Sequence, residues 1–184
     1  SVREFTDTSQ VSWARDAIGI MAGKGIINGK SRTEFDPYAD ISRAEFAALV
    51  TRMLKYNSGG SVPFKDVDRG KWYYDAVASA YGKGLISGKS DDTFDPGGSI
   101  TRQEIAVIIS KVLEKNGFNA ADRTQLNVFA DGVGIDSWAR DGAAMAVREG
   151  IITGTGDGMF APEKNANRAE AAVMLYRLYK QIMK

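Results

Sequence analysis

One four-residue pattern occurs three times in this chain, as Ser42-Arg43-Ala44-Glu45, Thr101-Arg102-Gln103-Glu104 and Asn167-Arg168-Ala169-Glu170. Ser, Thr or Asn followed three residues later by Glu is a capping box. The first side chain accepts a hydrogen bond from the N3 backbone N–H, and the Glu reaches back to the N-cap N–H. The pattern therefore predicts three helix starts, and it assigns helix-capping roles to Ser42, Glu45, Thr101, Glu104, Asn167 and Glu170.

Each box closes a longer repeat with the same landmarks in the same order. A Phe-x-Asp opening leads to a tryptophan, an Ile-x-Gly turn and a Phe-x-Pro segment. The openings begin at Phe5, Phe64 and Phe129, the tryptophans are Trp13, Trp72 and Trp138, and the turns are Ile27-Asn28-Gly29, Ile86-Ser87-Gly88 and Ile152-Thr153-Gly154. Such a period is typical of an array of supersecondary units. We divide the chain into repeats at 1–57, 58–116 and 117–184, and expect them to fold as one cooperative unit.

Apolar periodicity predicts two helices in each repeat. The first helix follows the tryptophan and ends at a glycine before Ile or Leu, which favours a Schellman ending. These glycines are Gly25, Gly84 and Gly150. The second helix starts at the box and carries an i, i+3, i+4, i+7 apolar stripe. We expect a mainly α fold with short loops or extended segments between helices, and a further helical turn near Ala120 to Arg123.

Composition excludes several classes of chemistry. The 184 residues carry 24 Lys and Arg against 23 Asp and Glu, so no global charge points to nucleic acid or an anionic membrane. Cys and His are absent, which removes thiol and imidazole catalysis and ordinary zinc sites. No apolar run approaches the roughly 20 residues of a membrane span. We predict no metal, no cofactor and no membrane insertion, and no signal peptide is recognisable, so a secreted protein would be represented by its mature part.

The arginine after each cap residue is not explained by capping. Arg43, Arg102 and Arg168 occupy the N1 position, where the helix dipole favours an anion rather than a cation. Free N–H groups, the dipole and a guanidinium fork would together suit a carboxylate or phosphate. One hypothesis is therefore that each helix start binds an external anion. The alternative is that each arginine pairs with a neighbouring Asp or Glu and only stabilises the fold.

Other repeated residues are candidates for the same site. Trp13, Trp72 and Trp138 could stack on a sugar or fill the core, and the following apolar stripe favours the core. The turn residues Asn28, Gly29, Ser87, Gly88, Thr153 and Gly154 are ligand-binding candidates, although for the glycines a tight turn is the safer interpretation. Lys30 and Lys89 follow the first two turns, whereas Thr155 follows the third. Because Arg168 is accompanied by Thr155 and by only an Ala166–Ala171 staple, we expect Arg168→Ala to reduce affinity least of the three arginine changes. This ranking belongs to the arginine rather than to a whole repeat, since one groove could combine parts of different repeats.

The ordered pattern of Phe-x-Asp, Trp, Ile-x-Gly, Phe-x-Pro and box, three times over, resembles the S-layer homology domain family. The resemblance implies a pseudo-threefold, largely helical unit that anchors S-layer and other surface proteins. It also implies binding to a secondary cell-wall polymer on peptidoglycan through pyruvylated N-acetylmannosamine. The binding grooves would lie between adjacent repeats with the box arginine central. The implied location is secreted, in the cell wall or S-layer of a Gram-positive-type bacterium, with other S-layer subunits as further partners through regions outside this chain.

Two alternatives come from other functional classes. The repeats could form a protein–protein module that buries a partner helix. Glu45, Glu104 or Glu170 beside an Asp could also form a glycosidase pair. Each Glu is already used in its capping box, however, and threefold repetition of a catalytic site is unusual. We therefore expect no catalytic residue and no enzyme activity in this chain.

Overall fold

The predicted mainly α fold is confirmed in a computed structural model that describes residues 2–57 and 59–183. Within those residues the only β-pairing consists of isolated bridges. The α-helices are α1 (Ser12–Gly23), α2 (Arg43–Leu54), α3 (Tyr74–Gly82), α4 (Arg102–Lys115), α5 (Arg140–Arg148) and α6 (Arg168–Ile182), and 3₁₀ helices span Thr6–Val11, Arg123–Val128 and Gly132–Gly134. The predicted repeat limits at Ser1, Ser58 and Lys184 lie outside the described residues.

The chain divides into two compact units. The first comprises Ser1–Ser99 and Asn167–Tyr176, and the second comprises Ile100–Ala166 and Arg177–Lys184. In the first unit α2 packs on α3, and α1 packs on the preceding 3₁₀ helix. In the second unit α5 packs on α4 and on the 3₁₀ helix Arg123–Val128. Cooperative folding and a pseudo-threefold arrangement of the three repeats stay predictions.

The first helix of each repeat ends as its glycine predicts. The N–H of Ile26 donates to the carbonyl of Met21 at 3.0 Å, and the N–H of Gly25 donates to Ala22 at 3.0 Å. This is the Schellman pair of hydrogen bonds, which needs a left-handed residue at the helix end. Gly25 supplies it with φ of 71°, and Gly84 and Gly150 repeat the conformation. A glycine costs least here because it has no Cβ.

The Phe-x-Asp opening of each repeat holds the Phe-x-Pro segment in place. The carboxylate of Asp7 accepts the N–H of Phe35 at 2.9 Å and the N–H of Asp36 at 2.7 Å. Asp66 and Asp131 bind the equivalent backbone groups in the other two repeats. Asp36 has a left-handed φ of 61°, an unfavourable conformation for a non-glycine residue that these hydrogen bonds stabilise. Phe35 is thereby fixed in the core, where it is fully buried.

The helical turn expected near Ala120 to Arg123 lies further along the chain. The structure has a 3₁₀ helix at Arg123–Val128 instead. The carboxylate of Asp122 accepts the N–H of Thr124 at 2.8 Å. This local side-chain cap sets the start of the helix after Asp122 rather than before it.

Candidate functional site

The three box arginines are buried and hydrogen-bonded to backbone. Arg43, Arg102 and Arg168 are 7%, 2% and 6% exposed. The Nε of each donates to a phenylalanine carbonyl, at 2.8 Å from Arg43 to Phe94, 2.8 Å from Arg102 to Phe160 and 2.9 Å from Arg168 to Phe35. Each guanidinium also lies over the ring of the same phenylalanine. Neither sequence hypothesis predicted carbonyl oxygens as the main partners.

Each arginine contacts a repeat other than its own. Arg43 donates to the Ser87 carbonyl in the second turn at 3.2 Å, and Arg168 donates to the Asn28 carbonyl in the first turn at 2.5 Å. Arg102 binds the carbonyl of Phe160 in the third repeat. The structure places Arg168 at the turn of another repeat rather than beside Thr155, because each helix start packs on a neighbouring repeat. The ranking of the three arginines stays a prediction. Arg168 lies at the turn that carries Lys30.

The backbone donors at the helix starts are already used. The N–H groups of Arg43 and Ala44 donate to the carbonyls of Gly98 and Pro96, at 2.9 and 3.1 Å. The side chain of Ser42 accepts the N–H of Glu45 at 3.0 Å, as the capping box predicts. The equivalent donors at the starts of α4 and α6 are bound in the same way. The prediction of free N–H groups for an external anion is therefore wrong.

The other half of the capping box differs from the prediction in repeat 1. Ser42 pairs with Ser99 in an isolated antiparallel bridge. The Glu45 carboxylate instead faces Arg168, with 3.7 Å between its Oε2 and Nη1 of Arg168. This oxygen is buried and has no hydrogen-bond partner among the described residues. Glu45 therefore lies at the first turn rather than closing back on its own cap.

A cavity of about 220 Å³ opens at the first turn. We call it the repeat-1 groove. Besides four aliphatic residues, the groove is lined by Asn28, Gly29, Lys30, Glu45, Arg52, Trp72 and Arg168. The structure thus brings together five sequence-predicted ligand-binding residues from distant parts of the chain: Asn28, Gly29, Lys30, Trp72 and Arg168.

Arg52 is the lining residue that sequence reasoning missed. It lies on α2 seven residues after Glu45, and residues at i and i+7 share one helix face. A basic residue also occupies the matching place in the other two repeats, as Lys111 and Arg177. That repeated charge was the available signal. This signal is hard to recognise because the same helix carries the apolar stripe that faces the core.

The charges of the repeat-1 groove differ in accessibility. Burial lowers the pKa of the Arg168 guanidinium from its ordinary value, while the carboxylates of Glu45, Asp36 and Asp7 act in the opposite direction. Arg168 is thus a buried cation with carboxylates around it. Lys30 and Arg52 are exposed in the same lining. The accessible positive charge of the groove therefore comes from these two side chains.

The tryptophans lie at the surface rather than in the core. Trp13, Trp72 and Trp138 are 58%, 63% and 57% exposed, so the core interpretation is wrong. Helices α3 and α5 begin two residues after Trp72 and Trp138, so those rings precede the buried stripe. Trp72 lines the repeat-1 groove. An exposed indole beside a polar groove can offer one face to a sugar ring.

The turn glycines are explained by packing. A Cβ at Gly29 would lie against the Phe5 ring, and 2.6 Å from the Ser31 carbonyl and 2.7 Å from the Glu34 carbonyl. Gly88 and Gly154 meet Phe64 and Phe129 in the same way. The structure supports the tight-turn interpretation. Approach of a ligand to these backbones stays a prediction.

The third turn, Thr153-Gly154-Thr155, is built differently from the first. Nη1 of Arg177 donates to the Ile151 carbonyl and to Oγ1 of Thr153, both at 3.2 Å. The Thr155 hydroxyl donates to the carboxylate of Asp157. The basic residue here is engaged by the fold, and a threonine bound to an aspartate replaces the lysine.

Two negative observations concern the part of the chain that the structure describes. Between residues 2 and 183, Ser58 aside, no cluster of His, Cys, Asp or Glu is arranged to hold a metal ion. Over the same residues, no helix has both the length and the apolar character needed to span a bilayer.

Comparison with known proteins gives a family match in each repeat. The S-layer homology domain matches residues 4–47, 63–106 and 128–172. An amylopullulanase of Thermoanaerobacterium thermosulfurigenes is 35% identical over 96% of this chain, which covers 9% of that protein. The surface-layer 125 kDa protein of Lysinibacillus sphaericus is 32% identical over 99% of the chain, and the S-layer protein sap of Bacillus anthracis is 28% identical over 97%.

The chain spans only a small part of each of these relatives. It covers 15% of the Lysinibacillus protein and 22% of the Bacillus anthracis protein. The similarity reaches both S-layer proteins and a protein named as an enzyme, so the shared part is a module rather than a whole protein. Its matches lie in three consecutive segments with the landmarks described above. The chain therefore belongs to the S-layer homology domain family.

Proposed function

We propose that this chain anchors a surface protein by binding pyruvylated secondary cell-wall polymer, with pyruvylated N-acetylmannosamine as the recognised unit. The family and the S-layer relatives support cell-wall anchoring of surface proteins in general. The observation that carries the specific proposal is the repeat-1 groove, where Lys30, Arg52 and Trp72 line one cavity. In this proposal the repeats 1–57, 58–116 and 117–184 act together, in a secreted protein of a Gram-positive-type bacterium.

The lining of the groove fits the chemistry of an acidic sugar. A pyruvate ketal adds one carboxylate to a rigid ring, and cationic side chains at a cavity mouth suit that group. The exposed Trp72 ring offers an apolar face for the sugar. The Oε2 atom of Glu45 is buried and has no hydrogen-bond partner among the described residues. Because an unpaired buried acceptor is costly, a hydrogen bond to it from a sugar hydroxyl or amide N–H would favour binding.

Calorimetric titration with two glycosides tests the proposal. One is a pyruvylated N-acetylmannosamine glycoside, and the other is the same sugar without the ketal. We expect heat of binding and saturation with the first and a large loss of affinity with the second. Equal affinity for both sugars would contradict recognition of the carboxylate.

Two assays of the same protein, with purified cell walls and with the polymer, distinguish the alternative functions. A protein–protein module would not sediment with purified, protein-free cell walls, whereas a polymer-binding module would. A glycan hydrolase would release reducing ends from the polymer, and we propose that this chain releases none. Glu45 is engaged with Arg168 rather than paired with a second free carboxyl group, which disfavours a glycosidase pair at this position.

A further inference from the structure

We infer that Arg52, together with Lys30, recognises the anionic group of the ligand in the repeat-1 groove, and that Arg168 is a positioning residue behind them. The inference rests on the proposed function, because it names which side chains of the same cavity take the carboxylate. Nothing in the four-residue box or in the family match assigns a role to Arg52.

Arg168 has little capacity left for an external carboxylate. Its Nε and Nη2 donate to the carbonyls of Phe35 and Asn28. Its Nη1 faces the carboxylate of Glu45 at 3.7 Å. A ligand carboxylate that approached this nitrogen would meet the like charge of Glu45 in a partly buried site, which is unfavourable. The bound anion is therefore directed away from Arg168.

The start of α6 does not supply an alternative receptor. The N–H of Arg168 donates to the Ala39 carbonyl at 2.9 Å, and the N–H of Ala169 donates to Pro37 at 3.0 Å. The next donor, the N–H of Glu170, binds the side chain of Asn167 at 2.8 Å. All three donors that would bind an anion at this helix start are thus used within the fold.

Unlike Arg168, Arg52 and Lys30 have side chains that are available to a ligand. Both are exposed, and both line the groove. No hydrogen bond or ion pair of either side chain is found in the described ranges 2–57 and 59–183. Two cations at one cavity mouth repel each other, and an anion held between them relieves that repulsion. The planar fork of Arg52 can bind a carboxylate through two parallel hydrogen bonds, and Lys30 adds a compact charge.

The matching positions in the other repeats are engaged within the protein. Lys111 lies 3.4 Å from the carboxylate of Glu114 on the same helix. Arg177 donates to Ile151 and Thr153. Among these three positions, Arg52 is therefore the one whose charge the described fold leaves for a ligand.

The test compares R52Q and K30Q with K115Q, which makes the same charge change at an exposed residue at the end of α4. All three are made in a K89Q background, so that the second turn does not mask the first. Titration with the pyruvylated glycoside should show affinity about tenfold lower for R52Q and for K30Q, since each removes a charged hydrogen bond. K115Q should bind like the background. R52K should recover only part of the loss, because an ammonium lacks the fork.

A second readout distinguishes anion recognition from a structural effect. R52Q should leave the melting temperature unchanged, and it should reduce the preference for the pyruvylated over the ketal-free glycoside. If the background protein prefers the pyruvylated sugar and R52Q keeps that full preference and affinity, the role of Arg52 is wrong while the proposed function stands. If the wild-type protein itself shows no preference, the proposed function fails.

Discussion

The first and third turns of this chain are held by the same kinds of contact but present different groups. At the first turn, Lys30 and Arg52 line a cavity and are exposed. At the third turn, Thr155 is bound to Asp157, and Arg177 is bound to Ile151 and Thr153. Burial also lowers the pKa of the Arg177 guanidinium from its ordinary value, as expected of a cation partly withdrawn from water.

The difference separates the parts of the repeat that build the fold from the parts that can bind a ligand. The box arginine, the turn glycine and the aspartate of the opening make the same kinds of contact at both turns. The residue after the turn, Lys30 or Thr155, and the basic residue on the second helix, Arg52 or Arg177, make different contacts at the two turns. We therefore expect changes to the common framework to act on stability everywhere, and changes to the variable positions to act on binding only where the groove is open.

The largest effect should come from the common framework. R168A and R102A each remove a buried guanidinium that binds a phenylalanine carbonyl. R168A also leaves the half-buried Glu45 carboxylate without its cation, and losing these charge-assisted contacts costs about 1.5–3 kcal/mol of unfolding free energy. Denaturant unfolding should show a clear loss for both variants. R52A is the control, and it should unfold like the wild type.

The unfolding free energy of R168A shows whether the box arginine stabilises the fold or contacts the ligand directly. If R168A keeps the wild-type unfolding free energy and loses only affinity, then its carbonyl contacts do not stabilise the fold. The arginine would in that case be a direct ligand contact, and the division between framework and binding residues would be wrong.

A smaller effect should come from exchanging the residues that follow the turns. In the K89Q background, K30T should weaken binding of the pyruvylated glycoside about tenfold, because it removes a charged contact at an open groove. T155K should leave the affinity and the number of bound ligands unchanged, since Arg177 already binds the third turn. Calorimetry of the two variants checks both. A gain in bound ligand for T155K would show that the lysine alone decides whether a turn binds.

A smaller effect still is expected at the basic position of the second helix. R177Q removes hydrogen bonds to Ile151 and Thr153 and should lower the unfolding free energy by about 1 kcal/mol. Its affinity for the glycoside should match that of the wild type. The opposite pattern, with affinity lost and stability kept, would mean that the third turn binds ligand through Arg177.

The smallest expected effect is electrostatic and confined to the third turn. The hydrogen bond from Thr155 is the main cause that holds the pKa of Asp157 below its ordinary value of 3.8. A depressed carboxyl pKa contributes stability that is present above the unfolded-state pKa and is lost as the pH falls through the folded-state pKa. T155V should therefore raise the pKa of Asp157, followed by the carboxyl carbon signal in an NMR titration. An unchanged pKa would remove Thr155 as the cause.

Much of the fold could be predicted from sequence because its signals are local. The caps at Ser42, Thr101 and Asn167 and the glycine at position 25 act within one turn of helix, and the structure places helix ends there. The exposure of Trp72 could not be predicted in this way. An apolar ring next to an apolar stripe looks like core, and only the helix start two residues later leaves it at the surface.

The sequence predicted most of the residues that line the site, but it did not predict which repeat each of them contacts. Repetition picked out Asn28, Gly29, Lys30, Trp72 and Arg168, which the structure brings to one cavity. It could not show that Arg168 binds the turn of repeat 1, because that depends on how one repeat packs on another. For the same reason the carbonyl partners of the box arginines were missed. Every residue type has a backbone carbonyl group, so the sequence does not indicate which carbonyl accepts a hydrogen bond from a given arginine.

An NMR titration of the labelled protein with the pyruvylated N-acetylmannosamine glycoside tests most directly whether the ligand binds at the first turn and not at the third. The backbone amide of Lys30 and the side-chain Nε–H of Arg52 report on the first turn, and those of Thr155 and Arg177 report on the third. We predict saturable shifts of the Lys30 and Arg52 signals, with the Thr155 and Arg177 signals unmoved. Shifts confined to Thr155 and Arg177, or no shift at Lys30 and Arg52 under saturating ligand, would show that the first turn does not bind the anionic sugar.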